Sequence, residues 1–583
     1  MFNRNHARRL TLSALALLVA APFAGAQTTL YSIYGGAAND RLGVSLSYVG
    51  DLNADGKPEF VAGAPENGNV FTIAEGYARV YNGATGLSLY VFNGGAASDG
   101  FGSAVGASDV NNDGKPDILV GAPGAGTGGN QSGKAYVYNG ATGSSTPLFT
   151  FTGLAAGEQL GAAIAGAGDV NADGFQDVIV GAPAATTSKG LVRVYSGQNG
   201  SVLYTLNGVN NNDSFGSSVD GIGDVNADGR SEFIIGSRLA GAKVYSGATG
   251  LVLYTIAPVG NDRIGTSVAG CGDVNNDGKP DFIVGAPQDG SVFSPGTGYA
   301  KVYSGATGAV LFTVSGDSNG DRFGWTVAGG RDVDGDGRAD FLVGADQNNS
   351  SSVGYARLFS GATGLAIHTV AGANSGERFG AAIDLLGDLN ADGRGEFGAG
   401  APGTTSGANA QAGLVRVFSY QPGGPGAFQA FCFGDNVDPL VTTDCPCANF
   451  GAAGRGCANS ANAAGALLAA AGAQVPDTVV LTASGMPATS SCIFLQGDAL
   501  TDTVFGDGVN CVGGSLIRLR TKTASAGSAS FPDSTDTVTL SARGGVTPGT
   551  ATLRFYSTYY RNASTAFCPP ATFNVTNGWR ILW

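Results

Sequence analysis

Short apolar runs, four to six residues long and rich in β-branched side chains, recur along the first two-thirds of the chain, each directly after an acidic stretch. Asp117-Ile-Leu-Val-Gly-Ala-Pro123 and Asp281-Phe-Ile-Val-Gly-Ala-Pro287 are two of them. This length and composition, bounded by glycine and proline, predicts buried strands rather than helices. In the second unit Phe101-Gly-Ser-Ala-Val-Gly106 precedes the acidic stretch and Asp117–Val120 follows it. Lys134–Tyr138 then alternates and Leu148–Phe151 closes the unit, so the pattern predicts four strands per repeat.

The acidic stretches are seven copies of one nine-residue loop, with side-chain oxygens at positions 1, 3, 5 and 9 and glycine at position 6. The donors are Asp51, Asn53, Asp55 and Glu59; Asp109, Asn111, Asp113 and Asp117; Asp169, Asn171, Asp173 and Asp177; and Asp224, Asn226, Asp228 and Glu232. They continue with Asp273, Asn275, Asp277 and Asp281; Asp332, Asp334, Asp336 and Asp340; and Asp388, Asn390, Asp392 and Glu396. Alternate oxygens on a tight turn suit Ca²⁺, a hard cation that takes six to eight of them, so about seven calcium sites are expected. An EF-hand or dockerin would need a carboxylate at position 12 and a flanking helix, whereas this chain has Ala62, Val120, Val180, Ile235, Val284, Val343 and Ala399, inside the strand runs. Loop starts are spaced by 58, 60, 55, 49, 59 and 56 residues, a period slightly long for a four-stranded propeller blade.

These residues resemble the FG-GAP repeats of integrin α subunits. Phe101-Gly102 with Gly121-Ala122-Pro123 carries the resemblance, as do Phe215-Gly216, Phe323-Gly324 and Phe379-Gly380. Leu42, Leu160 and Ile264 replace the phenylalanine elsewhere, Gly236-Ser-Arg238 replaces Gly-Ala-Pro in the fourth unit and Gly344-Ala-Asp346 does so in the sixth. The resemblance covers residues 28 to about 420 and implies a seven-bladed β-propeller that binds ligand on the face opposite the calcium loops. Six units carry a glycine turn between third and fourth strands, from Asn82–Gly86 to Ser360–Gly364. The seventh lacks it, and an orphan strand, Leu30–Tyr34, stands before the first unit. That strand is expected to complete the last blade and close the ring. The glycine turns and the calcium loops then share one face, and the second-to-third connections, variable in length (Glu66–Thr72, Pro123–Gly133, Gln288–Phe293), collect on the other.

Composition adds location and excludes partners. Arg4, Arg8 and Arg9 precede an apolar run, Leu10–Ala21, and Ala24-Gly25-Ala26 offers a cleavage site, which reads as a secretory signal peptide over residues 1–26. The run is shorter than the ~20 residues that span a bilayer, and no later segment is apolar enough to be transmembrane. A secreted or cell-surface protein is expected. Without the signal, 28 basic and 45 acidic residues give a net charge of −17, and 22 of the acids sit in the seven loops. Seven Ca²⁺ would bring the chain close to neutral, and nucleic acid, which binds basic patches, is excluded as a partner.

An acid stands three residues before the first-strand glycine of every unit: Asp40, Asp99, Glu158, Asp213, Asp262, Asp321 and Glu377. Arg41, Arg263, Arg322 and Arg378 follow four of them. The set reads either as a charged rim for a cationic or metal-bridged partner or, given its sevenfold repetition, as a turn-capping carboxylate. Catalysis finds little support: the mature chain has one histidine, His368, at a fourth-strand position held elsewhere by Tyr90, Phe149, Tyr204, Tyr254 and Phe312. One histidine cannot build a Ser-His-Asp, Cys-His or zinc-type cluster. The competing function is an extracellular lyase or hydrolase of carbohydrate that uses acidic residues on the propeller face.

Gln421-Pro-Gly-Gly-Pro-Gly426 ends the repeats, so the propeller is placed at 27–420, a linker at 421–430 and a second domain at 431–583. Seven of eight cysteines lie in that domain (Cys432, Cys445, Cys447, Cys457, Cys492, Cys511 and Cys568), an odd number that favours disulfides with one thiol left over. Cys271 occupies a small apolar repeat position and is a poor partner. Val479–Ala483, Ile493–Leu495, Leu516–Leu519, Val538–Leu540 and Leu553–Tyr556 read as strands of a small β-sandwich. Phe-Cys-Phe-Gly-Asp435, Gly454–Ser460 and Asn574–Gly578 resemble a C-terminal module of secreted planctomycete proteins, which implies no particular activity. The whole reads as an all-β, calcium-binding adhesion or ligand-binding protein whose partner is an extracellular protein or polysaccharide.

Overall fold

A computed structural model describes residues 26–65, 75–126, 130–289, 296–347, 352–407, 409–421, 428–431, 457–471, 477–505, 508–548, 552–562 and 573–583. Residues 1–25 of the expected signal segment, most of the expected linker, the connections around Glu66–Thr72 and Ser291–Phe293, and Cys432, Cys445, Cys447 and Cys568 lie outside the described residues.

Residues 26–421 form seven four-stranded antiparallel sheets, one per acidic loop. The first is Ser45–Gly50, Glu59–Ala64, Tyr77–Tyr81 and Ser88–Asn93, in that order from the inside outwards. Each inner strand packs on the next, and the cycle closes where Ser45–Gly50 meets Ala382–Gly387. The architecture is a β-propeller. Its last blade takes Ala26–Tyr34 as its outer strand, antiparallel to Leu414–Gln421 with Ile33 opposite Val415. The orphan strand thus leaves no open seam between the first and last units.

Second strands are the most buried element, every residue of Glu59–Ala64, Asp117–Ala122 and Asp281–Ala286 being covered, because blades pack on both of their faces. That explains their continuous apolar runs. The position-12 residues, Ala62 to Ala399, are wholly buried there. The third strand ends in an aromatic that stacks on the first apolar residue of the second strand, as in Phe60–Tyr81 at 5.3 Å, Phe282–Tyr303 at 5.3 Å and Phe341–Phe359 at 5.1 Å. Each fully buried ring stabilises the blade by about 2 kcal/mol.

The repeat glycines are explained by close approach between blades. A Cβ on Gly121, of the Gly-Ala-Pro motif, would lie 2.0 Å from the carbonyl oxygen of Gly161, which opens the next blade's inner strand. Gly161 itself has φ 89° and also abuts the Lys134 carbonyl. The two motifs are therefore the two halves of one interblade contact, and the buried phenylalanine or leucine beside it (Phe101, Leu160, Phe323) fills the adjoining core.

In the C-terminal region Phe428–Phe431, Gly578–Leu582, Leu553–Arg561, Ser491–Gly497 and Ile517–Thr523 make one sheet, joined by Phe573–Val575. A second sheet of Leu467–Ala471, Val480–Ser484 and Ala529–Phe531 shares its core, which includes Leu468, Leu481, Phe494, Phe531 and Tyr556. Val538–Leu540 is not a strand. Thr539 caps a short helix, Leu540–Gly544, by accepting from the Ala542 N–H, and Gly545 ends it at φ 64°. Cys457 and Cys511 are disulfide-bonded, whereas Cys492 and Cys271 are buried free thiols.

Candidate metal centre

The acidic loop joins the first and second strands at one end of each blade, and its backbone hydrogen bonds fold the same way seven times. The N–H of position 5 is shared by the side-chain oxygens of positions 1 and 3: in the first loop Asp55 N–H donates to Asp51 Oδ1 at 3.2 Å and to Asn53 Oδ1 at 2.8 Å. The same pair recurs at Asp113, Asp173, Asp228, Asp277, Asp336 and Asp392. Gly56 N–H donates to the other oxygen of Asp51 at 2.8 Å, and Lys57 N–H to Asp55 Oδ1 at 2.9 Å. These bonds aim the side chains inward and leave each oxygen a further lone pair.

Position 9 anchors the loop to the blade. Asp117 Oδ2 accepts from Val110 N–H at 3.1 Å and its Oδ1 from Gly140 N–H, in the glycine turn, at 3.0 Å. Gly197, Gly247, Gly305 and Gly361 repeat the second bond to Asp177, Glu232, Asp281 and Asp340, so loops and glycine turns share one end, as the strand order requires. In the first blade the Asn82 amide takes this role toward Glu59, and in the seventh Ser419 stands near Glu396.

The sixth loop gives the sharpest test of whether the donors converge. Asp332, Asp334 and Asp340 bring carboxylate oxygens within 4.8 Å of one another. Asp336 stands outside that triad. Asparagine at position 3 makes the other six loops one carboxylate poorer, although Asn53 and its counterparts accept the same hydrogen bond as Asp334. Burial, then repulsion from Asp334, pushes the Asp340 carboxyl up to about 8, and burial with repulsion from Asp336 and Asp332 pushes Asp334 up to about 6. Burial likewise raises Asp117 and Asp177 to about 6 and Glu396 to about 7, and it raises Glu59, Glu232 and Asp281. Carboxylates held together at this cost, with no lysine or arginine inside the triad, fit a hard divalent cation supplied by oxygen ligands.

One feature of the loops was not legible as a motif. Position 4 is left-handed in every copy, at Ala54 (φ 61°), Asn112 (56°), Ala172 (59°), Ala227 (61°), Asn276 (60°), Gly335 (82°) and Ala391 (62°). Alanine there is strained by about 1 kcal/mol. Neighbouring blades also reach in: Arg394 Nη1 donates to the Asp334 carbonyl at 2.7 Å, and Lys115 Nζ donates to the Leu52 carbonyl.

The FG-GAP repeat model matches residues 101–138, 160–202, 264–303 and 323–359. The chain carries FG-GAP repeats. Its propeller is of the integrin α type, being similar to integrin alpha-5 of Xenopus laevis, 38% identical over 161 residues that make 26% of this chain and 15% of that protein. It is also similar to integrin alpha-V of Gallus gallus, 30% identical over 236 residues (37% and 21%), and to integrin alpha-8 of Gallus gallus, 33% identical over 221 residues (35% and 20%). The match thus spans about a fifth or less of each of these relatives.

At the other end of the FG-GAP propeller the repeated acids do not form an exposed rim. Asp40 Oδ2 accepts from Gly36 N–H at 2.8 Å and Ala37 N–H at 3.0 Å, and from the Tyr77 hydroxyl at 3.0 Å. Glu158, Asp213, Asp262, Asp321 and Glu377 cap their turns in the same way and are buried, whereas Asp99 is half-buried. They are turn caps. His368 is buried in its strand 6.3 Å from the rings of Phe397 and Tyr420, and burial lowers its pKa, which suits a packing residue.

Proposed function

We propose that the protein is a secreted or surface-displayed, calcium-stabilised propeller that binds an extracellular protein or polysaccharide with the face opposite its calcium loops. Seven Ca²⁺ would be held by the donors at positions 1, 3, 5 and 9 of the loops, after removal of a signal peptide at 1–26. The propeller would occupy 27–420, and the domain at 431–583, joined by a linker at 421–430, would present or anchor it.

The observation that carries this reading is the sevenfold repetition of one loop fold at one end, with the sixth loop's carboxylates within 4.8 Å of one another and several position-9 carboxyls raised by burial and repulsion. That end is fully committed to rigid repetition, which leaves the variable connections of the other end as the surface for recognition. Similarity to integrin alpha chains supports a binding role, and no helix among the described residues is long and apolar enough to cross a membrane.

The test is binding of the purified mature protein to arrays of peptides and glycans in calcium and in chelator, with product release from polysaccharides followed in parallel. Calcium-dependent binding without turnover is expected. Release of sugar products would favour the hydrolase or lyase reading instead.

A further inference from the structure

The positions that break the sevenfold symmetry of the propeller gather at one place. In four consecutive blades, counting from the fifth round to the first, an arginine occupies the left-handed residue that follows the capping acid: Arg263 (φ 58°), Arg322 (60°), Arg378 (56°) and Arg41 (54°). The second, third and fourth blades have Gly100, Gln159 and Ser214 there. The two departures from Gly-Ala-Pro fall in this arc or at its edge. Arg238 replaces proline in the fourth blade and places Nη2 2.9 Å from Asp289 Oδ2; Asp346 replaces it in the sixth, fully buried, 2.7 Å from both Arg322 Nη1 and Arg378 Nη2.

Asp289 also draws in Arg263 at 3.2 Å and Arg322 at 3.4 Å, and the Arg322 guanidinium lies 3.7 Å from the centre of the Trp325 ring. Four guanidiniums, those of Arg238, Arg263, Arg322 and Arg378, are thereby fixed by two carboxylates and an indole, which pre-organises them at low entropic cost. Arg41 has no carboxylate partner among the described residues. Arg41 and Arg378 hold the same left-handed position in adjacent blades, and Pro402 stands where, one blade earlier, Asp346 bridges Arg322 and Arg378; burial, then repulsion from Arg378, lowers the Arg41 pKa.

We propose that this arc binds carboxylate side chains of an acidic peptide segment on a protein partner, with Arg41 and Arg378 gripping one carboxylate between them. The proposal rests on the binding-module reading and specifies its ligand chemistry. A peptide fits better than a polyanionic glycan because the buried caps Asp40, Asp262, Asp321 and Glu377 keep the local field close to neutral. Such a site offers directional N–H donors for isolated carboxylates rather than the strong positive field a dense polyanion requires.

The experiment titrates the calcium-loaded protein with a capped hexapeptide carrying two aspartates, the same peptide with asparagines, and a sulfated oligosaccharide. Binding is read by calorimetry and by fluorescence of Trp325, isolated by comparison with Trp325→Phe. Arg41→Gln, chosen because its side chain holds no ion pair, is compared with Lys189→Gln on the same face in the third blade. The account expects the aspartate peptide alone to bind, at least tenfold more weakly to Arg41→Gln and unchanged in Lys189→Gln. Equal binding of the asparagine peptide, Arg41-dependent binding of the oligosaccharide instead, or no binding of any probe would overturn it. Array ligands that bind Arg41→Gln as tightly as the native protein would overturn the arginine arc and leave the binding-module reading standing.

Discussion

The backbone N–H of Tyr48 donates to Asp384 Oδ2 at 2.7 Å, joining the inner strands of the first and seventh blades across the point of ring closure. Asp220 does the same one blade on from its own, accepting from Gly270 N–H at 2.8 Å. No other blade has a carboxylate at this inner-strand position; Ser47, Gly106, Ala165, Ala269 and Ala328 stand there. Burial raises Asp220 to about 7, with repulsion from Asp384 adding to it, and raises Asp384 to about 6.

A pH dependence follows. Between the unfolded value near 4 and about 7, folded Asp220 keeps a proton that the unfolded chain has lost, so its contribution to stability falls as pH rises through that window. In saturating calcium, denaturant unfolding should show the native protein losing about 3–4 kcal/mol relative to Asp220→Asn between pH 4 and pH 8. Parallel stability curves for the two proteins would contradict this.

Interblade glycines should tolerate nothing larger. Gly121→Ala puts a methyl 2.0 Å from the Gly161 carbonyl oxygen, so calorimetry should show a loss of about 3 kcal/mol or more. Gly114→Ala, in the loop, meets nothing within 4 Å and is penalised through its φ of 83° alone, by about 1 kcal/mol.

Removal of residues 27–34 from the mature protein should open the ring. Leu414–Gln421 would become an unpaired edge beside the first blade. The truncated mature protein is expected to melt lower and to associate at high concentration by light scattering, whereas an equally stable monomer would mean that the seventh blade closes without its outer strand.

Most of the propeller was legible because it is repeated: the loop and the buried run after it are written seven times and the glycine turn six, and the missing seventh turn pointed to the N-terminal strand. Features written once were not legible. Arg238 and Asp346 looked like mild drift from Gly-Ala-Pro, and their meaning appears when the ring brings the fourth to seventh blades around one mouth. The capping acids could be read as a rim or as caps until the backbone N–H groups they accept were placed. The left-handed residue at position 4 carries no side-chain signal, since alanine, asparagine and glycine all occur there. Val538–Leu540 alternates like a strand, and the Thr539 cap decided otherwise.

Within a single loop the donors are unequal. Asp340→Asn removes a member of the converging triad and should abolish one calcium site, lowering stoichiometry by one, whereas Asp336→Asn, outside the triad, should weaken that site and leave it countable. Equal effects of the two changes in calcium titration would contradict the geometry.

The most direct measurement is calorimetric titration of Ca²⁺ into chelator-stripped mature protein, followed by thermal unfolding with and without the ion. About seven sites, with a melting temperature that rises with calcium concentration, is the result expected of carboxylates gathered this closely. Absence of binding, or binding that leaves the melting temperature unchanged, would contradict the account and reduce the seven loops to polar turns.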